Sequence, residues 1–533
     1  MIKPLQLRWY QQESIDSIID WVSENDGNPC VVLPTAAGKT IVIAEFIRRI
    51  VMGWPGSRVL VLAHVRELIQ QSHDSFDRLC PEIDKGIYSA GLHRRDDSNA
   101  VIFASIQSVA NKANVLGMFD FILVDEAHRI PTKGDGQYLS FIRQAKKNSP
   151  YMRVVGLSAT PYRLQGGYVC GPKKVLTEVI YEVGVKPLIE QGFLCRPVVK
   201  GADSGVDLST IGMRNGEYIE GELDEAFSAE ALVAQTVDNI SRMAADRNKW
   251  ILFGCGTKHI EALQAAFLSR HDIYLPIITG KTPKAERNRT IDEFKAGKYR
   301  GLLNINVLSE GFDAPFIDFV GLLRPTKSPG LFYQQVGRGF RIHPSKQDFL
   351  VGDFADNVIE HGPVDKIRPP QDSSGSKKKA EPVRKCAACG TYNDIRATEC
   401  MECGADITPA ERELEVRHGV TANGLEILSN ELAEKWDDVS RWEVSPHPGK
   451  SGKPPTLRVT YFIGYTPANE FLCLEHGTFA RAHAVKWWRE RGGKAPPPRT
   501  VAEAAQRRHE LVMPPKVCID WTKKYPEIRG YQY

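Results

Sequence analysis

Apolar runs in this chain come in two series, each run followed by residues with helical spacing. The first series stands at 31–33, 59–63, 101–104, 121–124 and 154–157; the second at 250–253, 273–278, 302–307, 319–323 and 349–351. Short continuous runs of Val, Ile, Leu and Phe are the mark of strands buried on both faces. Between them, 40–50 places Ile43, Ile47 and Ile50 on one face of a helix, and 231–243 predicts another. Strand and helix in alternation predict an α/β fold with parallel sheets covered by helices. In such sheets ligands gather at the C-terminal ends of the strands. The stretch 165–245 is mixed and connects the two series.

The pattern stops after residue 365. Residues 366–384 are polar, proline-containing and basic, which predicts a flexible linker. Four cysteines follow in 385–405, and 406–533 is rich in Trp and Arg without a legible period. The expected domains are therefore 1–185, 186–365, the linker 366–384, a cysteine module 385–405 and an accessory region 406–533. Within the last, Trp487 and Trp488 beside Lys486, Arg489 and Arg491 read first as helix packing into a core. Base stacking is the second reading.

Composition narrows the class. At 533 residues with 42% hydrophobic and 25% charged residues, the chain is that of a multidomain globular protein. A net charge of +4 is small, so a polyanion must be held by local basic patches. No apolar run is long enough for a bilayer and the N-terminus lacks a signal core, so a cytoplasmic place and no membrane partner are expected. Eleven cysteines, seven of them scattered, fit reduced thiols.

The run VVLPTAAGKT (31–40) predicts a buried strand, a tight turn and a helix start. Its turn, Pro34, Thr35, Ala36, Ala37 and Gly38, offers to phosphate the N–H groups of the four residues after the proline; Lys39 reaches β- and γ-phosphates, and the Thr40 hydroxyl suits Mg²⁺. Leu33 stands where the usual pattern has its first glycine. FDFILVDEAHRI brings Asp125 and Glu126 to the end of a strand, 86 residues beyond Lys39. Asp125 suits Mg²⁺, and Glu126 suits a base for the attacking water. In YQQVGRGFR, Gln334, Arg338 and Arg341 would share one helical stripe and turn two guanidinium groups toward a transferring phosphoryl group. Cys386 and Cys389, then ten residues, then Cys400 and Cys403, give the two CxxC pairs of a tetrahedral Zn²⁺ site.

In this order the motifs resemble those of superfamily 2 helicases of the DEAH-box type, from residue 7 to about 356. The resemblance implies two tandem RecA-like parallel-sheet lobes with ATP between them, followed by a zinc ribbon and the accessory domain. LRWYQQ then makes Arg8 and Gln11 the adenine contacts. LVLAHVREL and ASIQSV make Arg66, Ser105 and Gln107 nucleic-acid contacts, and ITGKT and LLRPTKS add Thr279, Gly280 and Thr326. LSAT gives Ser158 and Thr160 a coupling role, and LSEGFDAP puts Gly311 and Asp313 at the nucleotide. His128 becomes a relay between the γ-phosphate site and Gln334. LPTAAGKT, SAGLHRR, QQVGRG and the ribbon CAACGTYNDIRATECMECG resemble more narrowly the RadD-like bacterial DNA-repair helicases, including a phage-encoded relative. The implied activity is ATP-dependent movement along DNA or its unwinding, in repair, recombination or replication, with ATP, Mg²⁺ and Zn²⁺ as cofactors. The implied partners are single-stranded or branched DNA and a repair or recombination protein met through the C-terminal region. A duplex translocase, an RNA helicase and a zinc-ribbon protein using ATP as a clamp remain as alternatives.

Overall fold

The computed structural model describes residues 6–532 apart from 65, 133, 164–166, 203–204, 309–311, 368–381, 396, 409–435, 450–453, 465, 476–477, 495 and 521–525. The chain forms two compact units, 1–429 and 430–533.

The first unit contains both predicted sheets. One has eight strands in the order Glu178–Glu182, Pro29–Val32, Arg153–Ser158, Phe121–Asp125, Val59–Ala63, Val101–Ser105, Lys85–Ser89, Arg94–Arg95. All neighbours are parallel except the last pair. The other has six parallel strands: Arg196–Gly201, Asp348–Asp353, Phe319–Leu322, Trp250–Phe253, Gly301–Asn304, Ile277–Ile278. Ile43, Ile47 and Ile50 of the helix Lys39–Gly53 are buried as their spacing predicts. Of the predicted 273–278 only Ile277–Ile278 pairs, and 302–307 shortens to Gly301–Asn304 as the chain turns through a left-handed Asn306 (φ 52°). One apolar core runs from the first sheet through Val183, Val185, Leu188 and Cys195 into the second, so the lobes meet through packed side chains.

The cysteine module begins earlier than expected. Val383–Lys385, in part inside the predicted linker, pairs with Tyr392–Asp394, and Ile407 packs on Cys386 and Cys400. The rest of the linker, 368–381, lies outside the described residues. The module is docked on the second sheet. Gly201 N–H donates to Gly390 O at 3.1 Å, Lys200 bridges Thr391, and Val383 and Tyr392 join the lobe core. Gly201 leaves no room for a Cβ against the Tyr392 ring.

The second unit has an antiparallel sheet, Arg441–His447, Thr456–Ile463 and Thr466–Leu472, and a second one, Trp436–Asp438, Lys516–Asp520 and Glu527–Gln532. Leu457, Val459, Tyr461, Ala468 and Leu472 share a core with the helices Thr478–Glu490 and Val501–Gln506. Trp487 (2% exposed) and Trp488 (1%) lie in that core, as the packing reading expects. Arg491 is fully buried, its guanidinium 4.1 Å from the Trp487 ring and 3.6 Å from the Tyr531 ring. Glu470 accepts from Tyr461 Oη (3.0 Å), Trp487 Nε1 (2.9 Å) and Tyr531 Oη (2.5 Å).

Candidate nucleotide and nucleic-acid site

The phosphate loop leaves the buried strand Pro29–Val32. Leu33 is not a flaw in it. Its N–H donates to Ser158 O at 3.0 Å and its side chain is fully buried, so it extends the strand and packs where a glycine would leave a hole. The loop then turns through left-handed conformations at Ala36 (φ 69°) and Gly38 (φ 86°). At alanine that conformation costs about 1–2 kcal/mol, strain of the kind that collects at binding sites. Gly38 opens the helix Lys39–Gly53, whose first N–H groups have no partner within the helix.

Two side chains of the helix Trp9–Glu24 hold the loop. Tyr10 Oη and Gln11 Nε2 both donate to Ala37 O, at 2.9 and 3.0 Å. Gln11 Oε1 accepts from Arg8 N–H at 3.0 Å. A Cβ on Gly38 would stand 2.6 Å from Gln11 Nε2. Arg8 donates to Tyr10 Oη (2.9 Å), and its guanidinium lies 4.9 Å from the centre of the Phe193 ring. Arg8 and Gln11 thus stand beside the loop as the motif implies, and they brace it. Tyr10 and Phe193 are the participants that spacing did not single out.

Adjacent residues of a strand point to opposite faces, yet both carboxylates of the acidic pair have to serve one site. Glu126 resolves this by taking a left-handed conformation (φ 54°, ψ 54°) where the strand Phe121–Asp125 ends. Its carboxylate lies 3.8 Å from Lys39 Nζ and 3.3 Å from His128 Nδ1. Burial works to raise Glu126, but the charges of Lys39, His128 and Arg338 outweigh it and hold the group low, at about 2. Burial and the Glu126 charge together hold Asp125 above the ordinary carboxylate range. Asp125 and Thr40 supply oxygen donors of the kind a hard divalent cation takes.

His128 connects elsewhere than expected. Its Nδ1 is 3.2 Å from Ser158 Oγ, which donates to Thr160 O (3.0 Å) and accepts from Thr160 N–H (3.1 Å). The chain of contacts from Glu126 therefore runs into LSAT, not toward Gln334. Gly330, near the start of the helix Pro329–Val336, faces Thr160 Oγ1.

That helix ends at Val336, before the two arginines. Arg338 and Arg341 thus lie beyond the helix and do not form the predicted stripe with Gln334. Gly337 and Gly339 follow the helix, each where a Cβ would strike a neighbour, Thr35 and Phe349 respectively. Arg338 is buried, donates to Phe312 O (2.8 Å) and Gln334 O (3.4 Å), and its charge reaches Glu126. Arg341 Nε pairs with Asp313 at 2.9 Å, and its buried Nη1 has no hydrogen-bond partner among the described residues. Gln334 is buried. Gly311 lies outside the described residues. The lobes touch at the loop itself, where Gly337 packs against Thr35.

The proposed nucleic-acid contacts stand at or after the C-terminal ends of strands, and the described side chains bond to residues of the motifs themselves, with one exception. Ser105 ends the strand Val101–Ser105 and donates to Ser108 Oγ (2.7 Å). Gln107 Nε2 donates to His64 O (2.9 Å), which ties two of the motifs together. Arg66 opens the helix Arg66–Leu79, and its side chain lies outside the described part. Thr279 and Gly280 follow the strand Ile277–Ile278, with open space around Gly280. Thr326 is the exception. It is 1% exposed, and its hydroxyl donates to Glu217 at 2.7 Å, because the hairpin Met213–Arg214/Glu217–Tyr218 covers it. It presents no free donor to a strand, contrary to expectation.

The ligand atoms of Cys386, Cys389, Cys400 and Cys403 lie within 4.8 Å of one another. Each CxxC turn closes the same way: Gly390 N–H donates to Cys386 O (2.9 Å) and Gly404 N–H to Cys400 O (2.8 Å), both glycines left-handed. Four converging thiols suit Zn²⁺.

Residues 4–163 match the family model "Type III restriction enzyme, res subunit", and 232–343 match "Helicase conserved C-terminal domain". IRC3 of Saccharomyces cerevisiae, assigned as an ATP-dependent helicase, is 26% identical over 65% of this chain and 51% of its own length. A 51.5 kDa protein of Lactococcus phage (isolate 7-9) is 27% identical over 80% of this chain and 91% of its own. A fragment assigned as the HsdR subunit of a type I restriction enzyme from Vibrio vulnificus shares the fold, with a TM-score of 0.50 and 20% identity over 66% of this chain and 64% of that one. Residues 4–163 and 232–343 thus carry, in order, the two domains of a superfamily 2 ATP-hydrolysing helicase. Relatives of the chain include IRC3, a DNA 3'-5' translocase XPB2 and the EcoKI restriction endonuclease subunit. The chain spans about half the length of IRC3. No described helix is long and apolar enough to cross a membrane.

Proposed function

We propose that this chain is a DNA-stimulated ATPase of the DEAH-box type that moves along or unwinds DNA. The observation that carries the reading is the grouping of Lys39 and His128 around Glu126, at 3.8 and 3.3 Å, beside a phosphate loop on which the second lobe packs through Gly337 against Thr35. Lys39 and the loop N–H groups bind the triphosphate, Glu126 takes a proton from the attacking water, and Arg338 meets charge developing on the transferred phosphoryl group. Thr40 and Asp125 would hold magnesium, which would supply charge neutralisation at the phosphates. Ser158 and Thr160 pass the state of this centre to the helix Pro329–Val336 through His128. The lobes are 1–185 and 186–365, and 406–533 is the accessory domain, of which 430–533 forms a compact unit.

The narrower RadD-like resemblance makes DNA repair or recombination the setting, in a bacterial or phage-infected cell. ATP turnover measured with single-stranded, duplex and forked DNA and with RNA tests the reading, run beside displacement of a labelled strand. Stimulation by DNA with displacement supports unwinding. Stimulation by duplex without displacement makes it a translocase. Stimulation by RNA alone overturns the DNA assignment.

A further inference from the structure

Among the described residues, the sheet Arg441–His447, Thr456–Ile463 and Thr466–Leu472 of the second unit is covered on one face only. Trp442, Val444, Leu457, Val459, Tyr461, Ala468 and Leu472 turn inward. Strand alternation sends Arg441, Glu443, Ser445 and His447 to the other face, with Arg458, Thr460 and Phe462 of the central strand and Asn469 and Phe471 of the third. The registers Arg441↔Phe462, Thr460↔Asn469 and Arg458↔Phe471 put them side by side. Arg441, Glu443, Asn469 and Phe471 are exposed, Phe471 to 48%.

This face has a ring near each end, and at one end the ring sits against a cation, while Arg458 at the other donates to Ser445 Oγ at 3.4 Å. At one end the Arg441 guanidinium lies 4.0 Å from the centre of the Phe462 ring. At the other, Phe471 is the register partner of Arg458, and the His447 and Phe471 rings stand 5.2 Å apart. Four residues along the strand, from Arg458 to Phe462, separate the two ends by roughly 13 Å. Between them lie hydroxyl and amide groups, Ser445, Thr460 and Asn469, and the acidic Glu443, 3.5 Å from Arg441.

We propose that this open face binds single-stranded nucleic acid, the rings stacking on bases and Arg441 and Arg458 meeting phosphates. An exposed phenylalanine on a rigid sheet offers a platform to any unpaired base, whereas bases stacked within a duplex are closed to it. The choice of nucleic acid among polyanions rests on the motor reading above. The buried tryptophans Trp487 and Trp488 have no share in it.

The test uses the full chain and a fluorescein-labelled oligothymidylate, with affinity read by anisotropy for wild type, Phe471→Ala, Phe471→Trp and Arg458→Ala. Phe471→Ala should weaken single-strand binding roughly 10-fold, the effect expected of one lost stacking contact. Phe471→Trp should restore it. Duplex affinity, melting temperature and ATP turnover without DNA should not change, since the residue is exposed and lies in the other compact unit. Unchanged oligothymidylate affinity in both Phe471→Ala and Arg458→Ala overturns the proposal. So does binding that polyglutamate abolishes and that ignores the Phe471 substitution, which would make the face a peptide-binding anion site. Absence of DNA-stimulated turnover in the wild type is a separate result. It overturns the motor reading while the Phe471 comparison still reports on the face.

Discussion

Substitution of Gly337 by alanine probes lobe closure without touching phosphate chemistry. Gly337 has right-handed backbone angles (φ −56°, ψ −18°) that alanine adopts readily, although in its own lobe the Cβ would stand 3.0 Å from Tyr333 O. Across the cleft its Cβ would meet Thr35 Cβ at 2.8 Å and Cγ2 at 2.9 Å. That is about 1 Å inside the ordinary carbon–carbon separation. Overpacking of this kind costs about 1–3 kcal/mol, and the tighter clash, with Thr35, falls on the state in which the lobes touch. At about 1.4 kcal/mol per decade of rate, kcat should drop roughly 5- to 150-fold. ATP affinity, read with a fluorescent nucleotide, should stay within about 2-fold because the phosphate loop is intact. The melting temperature should hold. Adding Thr35→Ser removes Cγ2 and should recover part of the rate. A wild-type kcat in Gly337→Ala would mean that hydrolysis does not require these residues to approach. Equal losses in affinity and rate would mean that the loop, not closure, was damaged.

Other substitutions separate the parts of the site. Gly38→Ala, left-handed and pressed on Gln11, should abolish nucleotide binding, whereas Ala36→Gly should relieve about 1 kcal/mol of strain and raise the melting temperature; a stable, ATP-binding Gly38→Ala would contradict the loop geometry. Arg338→Ala should lower kcat on the order of 10³-fold, and Arg341→Ala, tied to Asp313, should cost less; steady-state kinetics giving the reverse order would reassign the finger. Metal analysis should find one Zn²⁺ per chain, and chelation should lower the melting temperature of the motor, since Tyr392 and Val383 belong to its core. An unchanged melt would show that the ribbon is only tethered.

The motor was legible because its strands are buried on both faces, so that runs such as 121–124 stand out, and because its chemistry sits at their ends. Lys85–Ser89 was missed because only Ile87 and Tyr88 are apolar in it. Glu178–Glu182 escaped because an edge strand that is only half buried carries polar residues. Motif spacing located Arg338 and Arg341 but not their geometry, since the helix yields at Gly337. Spacing also left Thr326 looking available, because its cover comes from a hairpin more than a hundred residues earlier. The ribbon was plain from four cysteines. Its docking was not, because it depends on Gly201 meeting Tyr392, a pairing that no local pattern announces. The open sheet face needed strand register before its aromatic and cationic residues could be seen as neighbours.

The central claim is that Glu126, held beside Lys39 and His128, performs the chemistry. The direct measurement is ATP turnover of Glu126→Gln beside wild type in saturating single-stranded DNA, with nucleotide affinity taken on the same samples. Glutamine keeps the shape of the side chain and cannot accept the proton, so turnover should vanish while ATP binding persists. Turnover near the wild-type rate in Glu126→Gln would contradict the account.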